Sequence, residues 1–409
     1  MCLFAATPSP GESENASRLP YIRAKAYHVL PGTHNNESGY FSLCEGLDGK
    51  MYIGTTRYGE NSHLVRFDPV AESQRMVLDT HELCGLTDIG YAAQAKIHSR
   101  NDVGDSGRIY CGSYQGYRKK GDISEYKGGY VMVYDPKTDT AEHLGIPHPG
   151  EGVADIVADE KRGLLYIVTS MKWRWMLYEV KSKNYRPLNV LLTPLARTMI
   201  DARGRANAFT EDFKLAQFEP DTGQVTIRPI EVDGRNIADL ERASWTHVSD
   251  PARAYMVTTN HEKRQVNLWM IDLLSEGHTV KAEFCATLME GEHLNCNCGL
   301  DLGPDGRVYA VVRAERNAFR GDIEHLTRYD PKSGQAETLG IITVGDPTYV
   351  ERASTAPDGS RTASHGFRNL PDGTLAPKGY HLALIVARDG TVYLTYLYPF
   401  TLLRIDAIP

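Results

Sequence analysis

A short alternation of apolar and polar positions, introduced by a tight turn, recurs seven times along the chain. Gly and Asp residues, present in most copies, fit the turn, and the β-branched and aromatic residues that follow fit a half-buried strand. The copies are LDGKMYIGT, DSGRIYCGS, EKRGLLYIVTS, ARGRANAFT, PARAYMVTT, PDGRVYAVV and RDGTVYLTY, centred on Tyr52, Tyr110, Tyr166, Asn207, Tyr255, Tyr309 and Tyr393. This repetition predicts one small strand-based unit that occurs seven times.

A second strand with its own acidic or turn ending follows each copy. These strands are LVRFDP, VMVYDP, WMLYEV, LAQFEP, NLWMID, LTRYDP and LLRID. A short apolar strand precedes most copies, and a fourth strand such as TIRPIEV at 226–232 follows most of the acidic endings. Four-stranded units spaced roughly 40 to 58 residues apart are typical of blades around a channel. We therefore predict an all-β fold, a seven-bladed β-propeller. Two stacked sheets are the alternative, although seven evenly repeated units have no natural pairing in a sandwich.

The two ends of the chain are predicted to complete the last blade together. That blade runs out of chain after its third strand, and AKAYHVL at 24–30 can supply its outer strand and close the ring. The predicted organisation is an N-terminal extension over 1–23 and one propeller over 24–409. A long insertion over 341–380 separates blades six and seven.

Composition and charge narrow the range of partners. The chain of 409 residues is 41% hydrophobic and 24% charged, with 37 Gly and 21 Pro, which fits a large core with many tight turns. A net charge of -7 and a pI near 6.1 give no overall attraction to nucleic acid or to an anionic membrane. No run of about 18 apolar residues is present, and the N-terminal residues lack the basic start of an export signal. Neither nucleic acid nor a membrane is expected as a partner.

One face of the predicted propeller collects basic and aromatic residues. The loops that join the second and third strands of the blades emerge on the same face as the loops that enter the first strands. The candidate substrate-binding residues in these loops are Tyr114, Lys119, Lys172, Arg174, His261 and Arg264. On an acidic chain such a face predicts an anionic ligand. A solvated run of charges is the alternative for any single loop.

The predicted inner strands bring chemically active residues to the mouth of the channel on that same face. They are His98, Asp155, Arg197, His247 and His381. Imidazole exchanges protons near neutral pH, and guanidinium pairs with carboxylates in bidentate fashion. The group is therefore a candidate site for acid–base chemistry on an anion, while each histidine alone could equally be a hydrogen-bonded core residue.

The cysteines form a possible metal site. The chain has seven of them, so they cannot all pair with one another. Cys296 and Cys298 in LNCNCGLD point to the same face if the segment is extended, and Cys285 precedes them by eleven residues. Three thiolates and one imidazole make a structural zinc site, with His381 preferred as the fourth ligand over His293 and His365. Buried free thiols are the alternative. No organic cofactor is predicted.

Several longer stretches resemble a known family. They are ESGYFSLCEGLDGKMYIGTTRYGENSHLVRFDP, AAQAKIHSRNDVGDSGRIYCGSYQGYRKKGD, YKGGYVMVYDPKTDTAEHLGIP and HLALIVARDGTVYLTYLYPFTLLRID. They look like parts of the propeller-type polysaccharide lyases that cleave ulvan, a sulfated uronate polysaccharide of green algae. The resemblance covers most of the chain and is strongest over blades one to three and at the end.

The resemblance implies eliminative cleavage next to a uronic acid. By matching motifs, His98 would be base or acid, Tyr117 would be its partner, and Arg197 would hold the carboxylate. His247 is a further candidate near the scissile bond. One departure is GRANAF, where an aromatic residue and a histidine are expected and Asn207 stands instead. The family also implies a secreted protein, extracellular or periplasmic, that degrades carbohydrate.

Two other functions remain open at this stage. One is a hydrolase or lactonase built on a calcium ion in the channel, which needs carboxylate and amide oxygens at the mouth. Asp155 is the one acidic residue among the inner-strand candidates. The other is a non-catalytic propeller that binds a glycan or a protein, for which no single histidine would be essential.

Overall fold

The computed structural model describes residues 19–30, 41–240, 246–260, 262–296, 299–316, 319–354, 365–378, 381–406 and 408. The first strand is β1 (Tyr21–His28). Blade one consists of β2 (Leu43–Glu45), β3 (Met51–Gly54), β4 (His63–Asp68) and β5 (Ser73–Asp79). Helix α1 (Thr80–Cys84) and a short 3₁₀ helix (Gly90–Ala92) lead to blade two. Blade two consists of β6 (Lys96–Ile97), β7 (Asp102–Val103), β8 (Ile109–Tyr114), β9 (Val131–Asp135) and β10 (Thr140–Gly145).

The middle blades follow in the same order. Blade three consists of β11 (Val153–Asp159), β12 (Leu164–Thr169), β13 (Arg174–Glu179) and β14 (Asn184–Leu191). Blade four consists of β15 (Met199–Ile200), β16 (Ala206–Phe209), β17 (Lys214–Glu219) and β18 (Gln224–Val232). Strand β19 (Arg235–Asn236) pairs with β18, and a second 3₁₀ helix (Ile237–Asp239) follows.

The last three blades complete the ring. Blade five consists of β20 (His247–Ser249), β21 (Arg253–Asn260), β22 (Gln265–Asp272) and β23 (Val280–Glu290). Blade six consists of β24 (Glu292–Asn295), β25 (Leu300–Leu302), β26 (Val308–Arg316), β27 (Phe319–Asp330) and β28 (Gln335–Val344). Helix α2 (Tyr349–Ala353) and the hairpin of β29 (Phe367–Asn369) and β30 (Leu375–Pro377) precede blade seven. Blade seven consists of β31 (His381–Val386), β32 (Val392–Tyr396) and β33 (Thr401–Ile405), with β1 outside them.

The strands of the described residues therefore make seven antiparallel blades, and the predicted all-β, seven-bladed propeller is confirmed. Their apolar core lies between neighbouring blades. Val257 of β21, for example, packs in one cluster with Val308 and Ala310 of β26. Among the described residues, no helix has the length and apolar character that crossing a membrane requires.

The recurring sequence phrase has a local structural cause. The hydroxyl of Tyr52 donates to Asp48 in the preceding turn over 2.9 Å, and Tyr309 donates to Asp305 over the same distance. Gly49 and Gly306 in these turns have φ angles of 73° and 77°, which side-chain-bearing residues rarely adopt. In blades one and six, the tyrosine thus connects its strand to the turn that precedes it.

Blade four replaces this tyrosine with Asn207, which is fully buried. Its side-chain amide donates to Asp201 over 3.2 Å, and its carbonyl oxygen accepts from Gln217 over 2.7 Å. Asp201 lies in the turn of this blade, so the amide takes the place of the phenol. The departure at Asn207 is therefore accommodated inside the blade by hydrogen bonds.

The N-terminal strand closes the ring as predicted. Its second half pairs antiparallel with β33, in a register that places Lys25 opposite Arg404. Its first half pairs in parallel with β28, so that Tyr21 lies opposite Ile341. The predicted boundary at residue 23 falls inside this strand, and the range 341–380 begins with the last four residues of β28.

Candidate functional site

His98 lies immediately after β6 and is 7% exposed. Its imidazole stacks on the ring of Tyr114, with centroids 4.6 Å apart, and meets the ring of Phe41 edge-on at 5.1 Å. Burial lowers the pKa of His98 well below its ordinary value, and the charges of Lys96 and Arg100 lower it further. The imidazole is therefore neutral at pH 7, the form that can accept a proton.

Lys96 lies two residues before His98 and is 5% exposed. Its ammonium nitrogen is 4.5 Å from the ring centre of Tyr114, 5.3 Å from that of Tyr58 and 5.7 Å from that of Tyr117. Tyr117 is 71% exposed, and its ring lies 5.0 Å from that of Tyr58. Tyr117, the predicted partner of His98, thus lies on the solvent side of Lys96. The ammonium group of Lys96 lies among the rings of three tyrosines.

Arg197 is bound inside the channel mouth. Its guanidinium pairs with Asp102 over 2.7 Å and with Asp155 over 3.4 Å. Arg100 also approaches Asp155, at 3.9 Å, and donates to the backbone carbonyl of Leu195. Burial raises the pKa of Asp155 to about 6, against the opposing effect of the two arginines. These four charged residues join blades two and three to the segment that enters blade four.

His247 holds the same arginine by its backbone. Its Nε2 atom lies 3.3 Å from the amide nitrogen and 3.1 Å from the carbonyl oxygen of Arg197. The imidazole also packs edge-on against Phe209, 4.7 Å away. His247 is 1% exposed, so its observed contacts position Arg197.

A cavity of about 390 Å³ runs along the channel beside this network. Inner-strand residues from several blades line it, including Phe41, Arg100, Asp102, Arg197, His247 and Asp301. Asp301 accepts a hydrogen bond from the amide of Val386 over 2.7 Å, and burial raises its pKa to about 6. The His98 site opens towards this cavity through Phe41 and Arg100, which belong to both.

The other predicted substrate-binding residues lie around the rim. Lys119, Lys172 and Arg264 are exposed. Arg174 pairs with the buried carboxylate of Glu151 over 3.0 Å, and Glu151 also accepts from Thr169. His261 lies outside the described residues. The structure therefore brings Tyr114 into contact with His98 and leaves the other described members of this set at the periphery.

The predicted zinc ligands are divided between different surroundings. The Nδ1 atom of His381 lies 3.0 Å from Glu324, and its buried Nε2 atom has no hydrogen-bond partner among the described residues. A Cβ atom on Gly299 would lie 3.0 Å from that Nε2, and Cys296 Sγ lies 3.9 Å from the Gly299 carbonyl. Cys285 interacts with Tyr329, and Cys298 lies outside the described residues. Within the described part of the chain, no three His, Cys, Asp or Glu side chains are arranged to hold a metal ion.

Sequence reasoning passed over Lys96, Arg100 and Asp102 as site residues. Together with His98, they occupy every second position of AKIHSRND. A period of two marks one face of an extended chain, so this alternation was the available signal. The segment with these residues extends from the tyrosines at the rim to the ion pairs in the channel.

Comparison with known proteins supports the fold alone. No protein-family model matches the chain, and no curated protein matches its sequence. The β-propeller domain of Myceliophteria thermophila Cps50 (Swd1) superposes with a TM-score of 0.55 at 10% identity, covering 92% of this chain and 99% of that one. The WD40 repeats of RRP9 give 0.53 at 9% identity, covering 93% and 97%. Both are similar in fold. At such low identity these similarities establish a β-propeller and leave the function open.

Proposed function

We propose that this propeller is a polysaccharide lyase that cleaves an acidic, uronate-containing polysaccharide by β-elimination, with ulvan-like sulfated polymers as the first candidates. The observation that carries the proposal is His98, a buried neutral imidazole that Lys96 precedes and Arg100 follows by two residues each. A neutral base next to cations suits proton abstraction from a carbon whose neighbouring carboxylate must be neutralised.

In the proposed reaction, His98 takes the proton from C5 of the uronate. The electron pair of the C5–H bond forms the C4–C5 double bond, and the bond from C4 to the leaving oxygen breaks. That oxygen takes a proton from a phenol, a role that the family resemblance gives to Tyr117. Its exposed ring, paired with Tyr58 at 5.0 Å, also offers an apolar surface to a sugar ring.

The charges around His98 support an anionic substrate. The positive charges of Lys96 and Arg100 are close enough to His98 that both lower its pKa. A positive environment of this kind stabilises the enolate-like charge that develops on the carboxylate during proton abstraction. The resemblance assigns the carboxylate to Arg197, which lies at the adjoining channel mouth.

Structural zinc remains part of the proposal. The bond from Nδ1 of His381 to Glu324 leaves Nε2 directed at Gly299, beside which Cys296 is also buried. Such a carboxylate partner is usual for a zinc-bound histidine. Cys285 and Cys298 are the proposed remaining ligands. Metal analysis of the purified protein and of Cys296→Ser tests this, because the variant should lose zinc and thermal stability together.

Incubation with ulvan and with other uronate polysaccharides tests the activity. Elimination produces an unsaturated uronyl group, which is followed by its ultraviolet absorbance. We expect His98→Ala to lower the rate at least about 10³-fold, because it removes the base. His143→Ala is the matched control, since His143 is exposed on the outer strand of the same blade. A wild-type protein that produces no absorbance from any uronate polymer would refute the proposed function.

A further inference from the structure

We propose that Lys96 binds and neutralises the uronate carboxylate, and that Arg197 is a positioning residue which holds neighbouring blades together. This inference rests on the proposed function, and it assigns the carboxylate to a different residue from the one that the family resemblance implies.

The first support is that Arg197 already has two carboxylate partners within the protein. Two of its guanidinium nitrogens already bind Asp102 and Asp155, over 2.7 and 3.4 Å, and His247 contacts its backbone. Asp155 is 1% exposed, and moving the guanidinium away would leave this buried carboxylate with Arg100, 3.9 Å away, as its remaining observed cation. Transfer of this guanidinium to a substrate would therefore be opposed by the network that holds it.

The second support is the position of Lys96. It precedes His98 by two residues on an extended segment, so both side chains lie on one face. Tyr114 contacts both groups, with its ring centre 4.6 Å from that of His98 and 4.5 Å from the ammonium nitrogen. A uronate whose C5 proton faces His98 would therefore carry its carboxylate within reach of Lys96.

The third support is the aromatic surrounding of this lysine. Ring faces attract an ammonium group, and the rings of Tyr58, Tyr114 and Tyr117 hold that of Lys96 beside His98. Tyr117, 71% exposed, and Tyr58 lie between Lys96 and solvent. Displacement of the Tyr117 ring by a sugar would bring the carboxylate to the ammonium group in a site with little water, where ion pairing is strong.

The experiment compares substrates that differ only in the carboxylate. Lys96→Gln, Arg197→Lys and the wild type are assayed on a uronate polymer and on its methyl ester, which needs no neutralisation. For Lys96→Gln we expect kcat/KM to fall at least about 10²-fold on the free acid and less than about 10-fold on the ester. For Arg197→Lys we expect a lower Tm and equal relative losses on both substrates. Lys161→Gln is the control, because Lys161 is exposed and its side chain pairs only with Asp105 among its observed contacts.

The outcomes separate this inference from the proposed function. Equal losses on acid and ester in Lys96→Gln, or a loss confined to the free acid in Arg197→Lys, would overturn the assignment while leaving the lyase in place. If the wild type cleaves no uronate polymer, the proposed function fails, and calorimetric titration with a uronate oligosaccharide decides the inference. Weaker binding of the acid but not the ester by Lys96→Gln would support it, and unchanged or undetectable wild-type binding would overturn it.

Discussion

The imidazole of His98 lies nearly parallel to the phenol ring of Tyr114, with 4.6 Å between centroids and 29° between planes. Phe41 closes the other side edge-on. Together these rings remove the imidazole from water, and the neutral form becomes the stable one over a wider pH range. The aromatic residues of this site therefore control protonation as well as shape.

The first prediction concerns this protonation. Replacing Tyr114 by Ala readmits water to the imidazole, so the pKa of His98 should rise towards its ordinary value of 6.5. In the wild type, kcat/KM should fall on the acid side of its pH profile only below pH 6.5. An NMR titration of the imidazole in wild type and Tyr114→Ala measures both pKa values. Tyr130→Ala is the control, because Tyr130 packs against His143 instead. An unchanged pKa in Tyr114→Ala would contradict the argument.

The second prediction concerns Asn207. Its replacement by Ala leaves Asp201 and Gln217 without their buried partner, and we expect a loss of about 2 to 3 kcal/mol in the free energy of unfolding. Because Asn207 is fully buried within its blade, substrate preference should not change. Chemical denaturation and kinetics on two polymers measure these effects, with Gln224→Ala on an exposed position of the same blade as control. An altered preference would mean that Asn207 acts on the substrate after all.

The third prediction concerns the closing strand. Ala24 is 1% exposed and packs in the core between blades six and seven, whereas its neighbour Lys25 is exposed. Ala24→Asp buries an unpaired charge and should destabilise the fold by more than about 3 kcal/mol. Lys25→Asp introduces the same residue on the solvent face, where it loses the exposed pair with Glu72 and adds a like charge, and it should cost only about 1 to 2 kcal/mol. Similar Tm values for the two variants would show that this strand is dispensable.

The fourth prediction concerns Asp301. Its pKa in the folded protein is raised to about 6, above its unfolded value, so the folded state binds more protons between about pH 4 and 6. Stability should therefore fall as pH rises through that window, by at most about 3 kcal/mol from this residue. Asp301→Asn lacks this dependence, and its Tm relative to wild type should increase from pH 4 to 7. Asp233→Asn, in an exposed turn, provides the control; a constant difference would argue against a raised pKa.

The blades could be predicted from the sequence because their signal is local. A tyrosine, a glycine turn and an alternating strand all lie within about ten residues, as in the bond from Tyr52 to Asp48. The closing strand was also predictable, since the last of the seven repeats lacked an outer strand. The site was only partly predictable. His98 could be named, but its contact with Tyr114 and the binding of Arg197 by Asp102 and Asp155 depend on how separate blades are twisted and packed.

The pairing of β1 with two later strands affects how the protein folds during its synthesis. One strand near the start of the chain must wait for β28 and β33, which leave the ribosome after nearly all of the other blades. Until then, both edges of β1 lack their native partner strands and are open to pairing with other chains. Stalling between the synthesis of β1 and that of β33 should therefore favour such pairing, and slow closure of the ring should set the rate at which folded molecules accumulate.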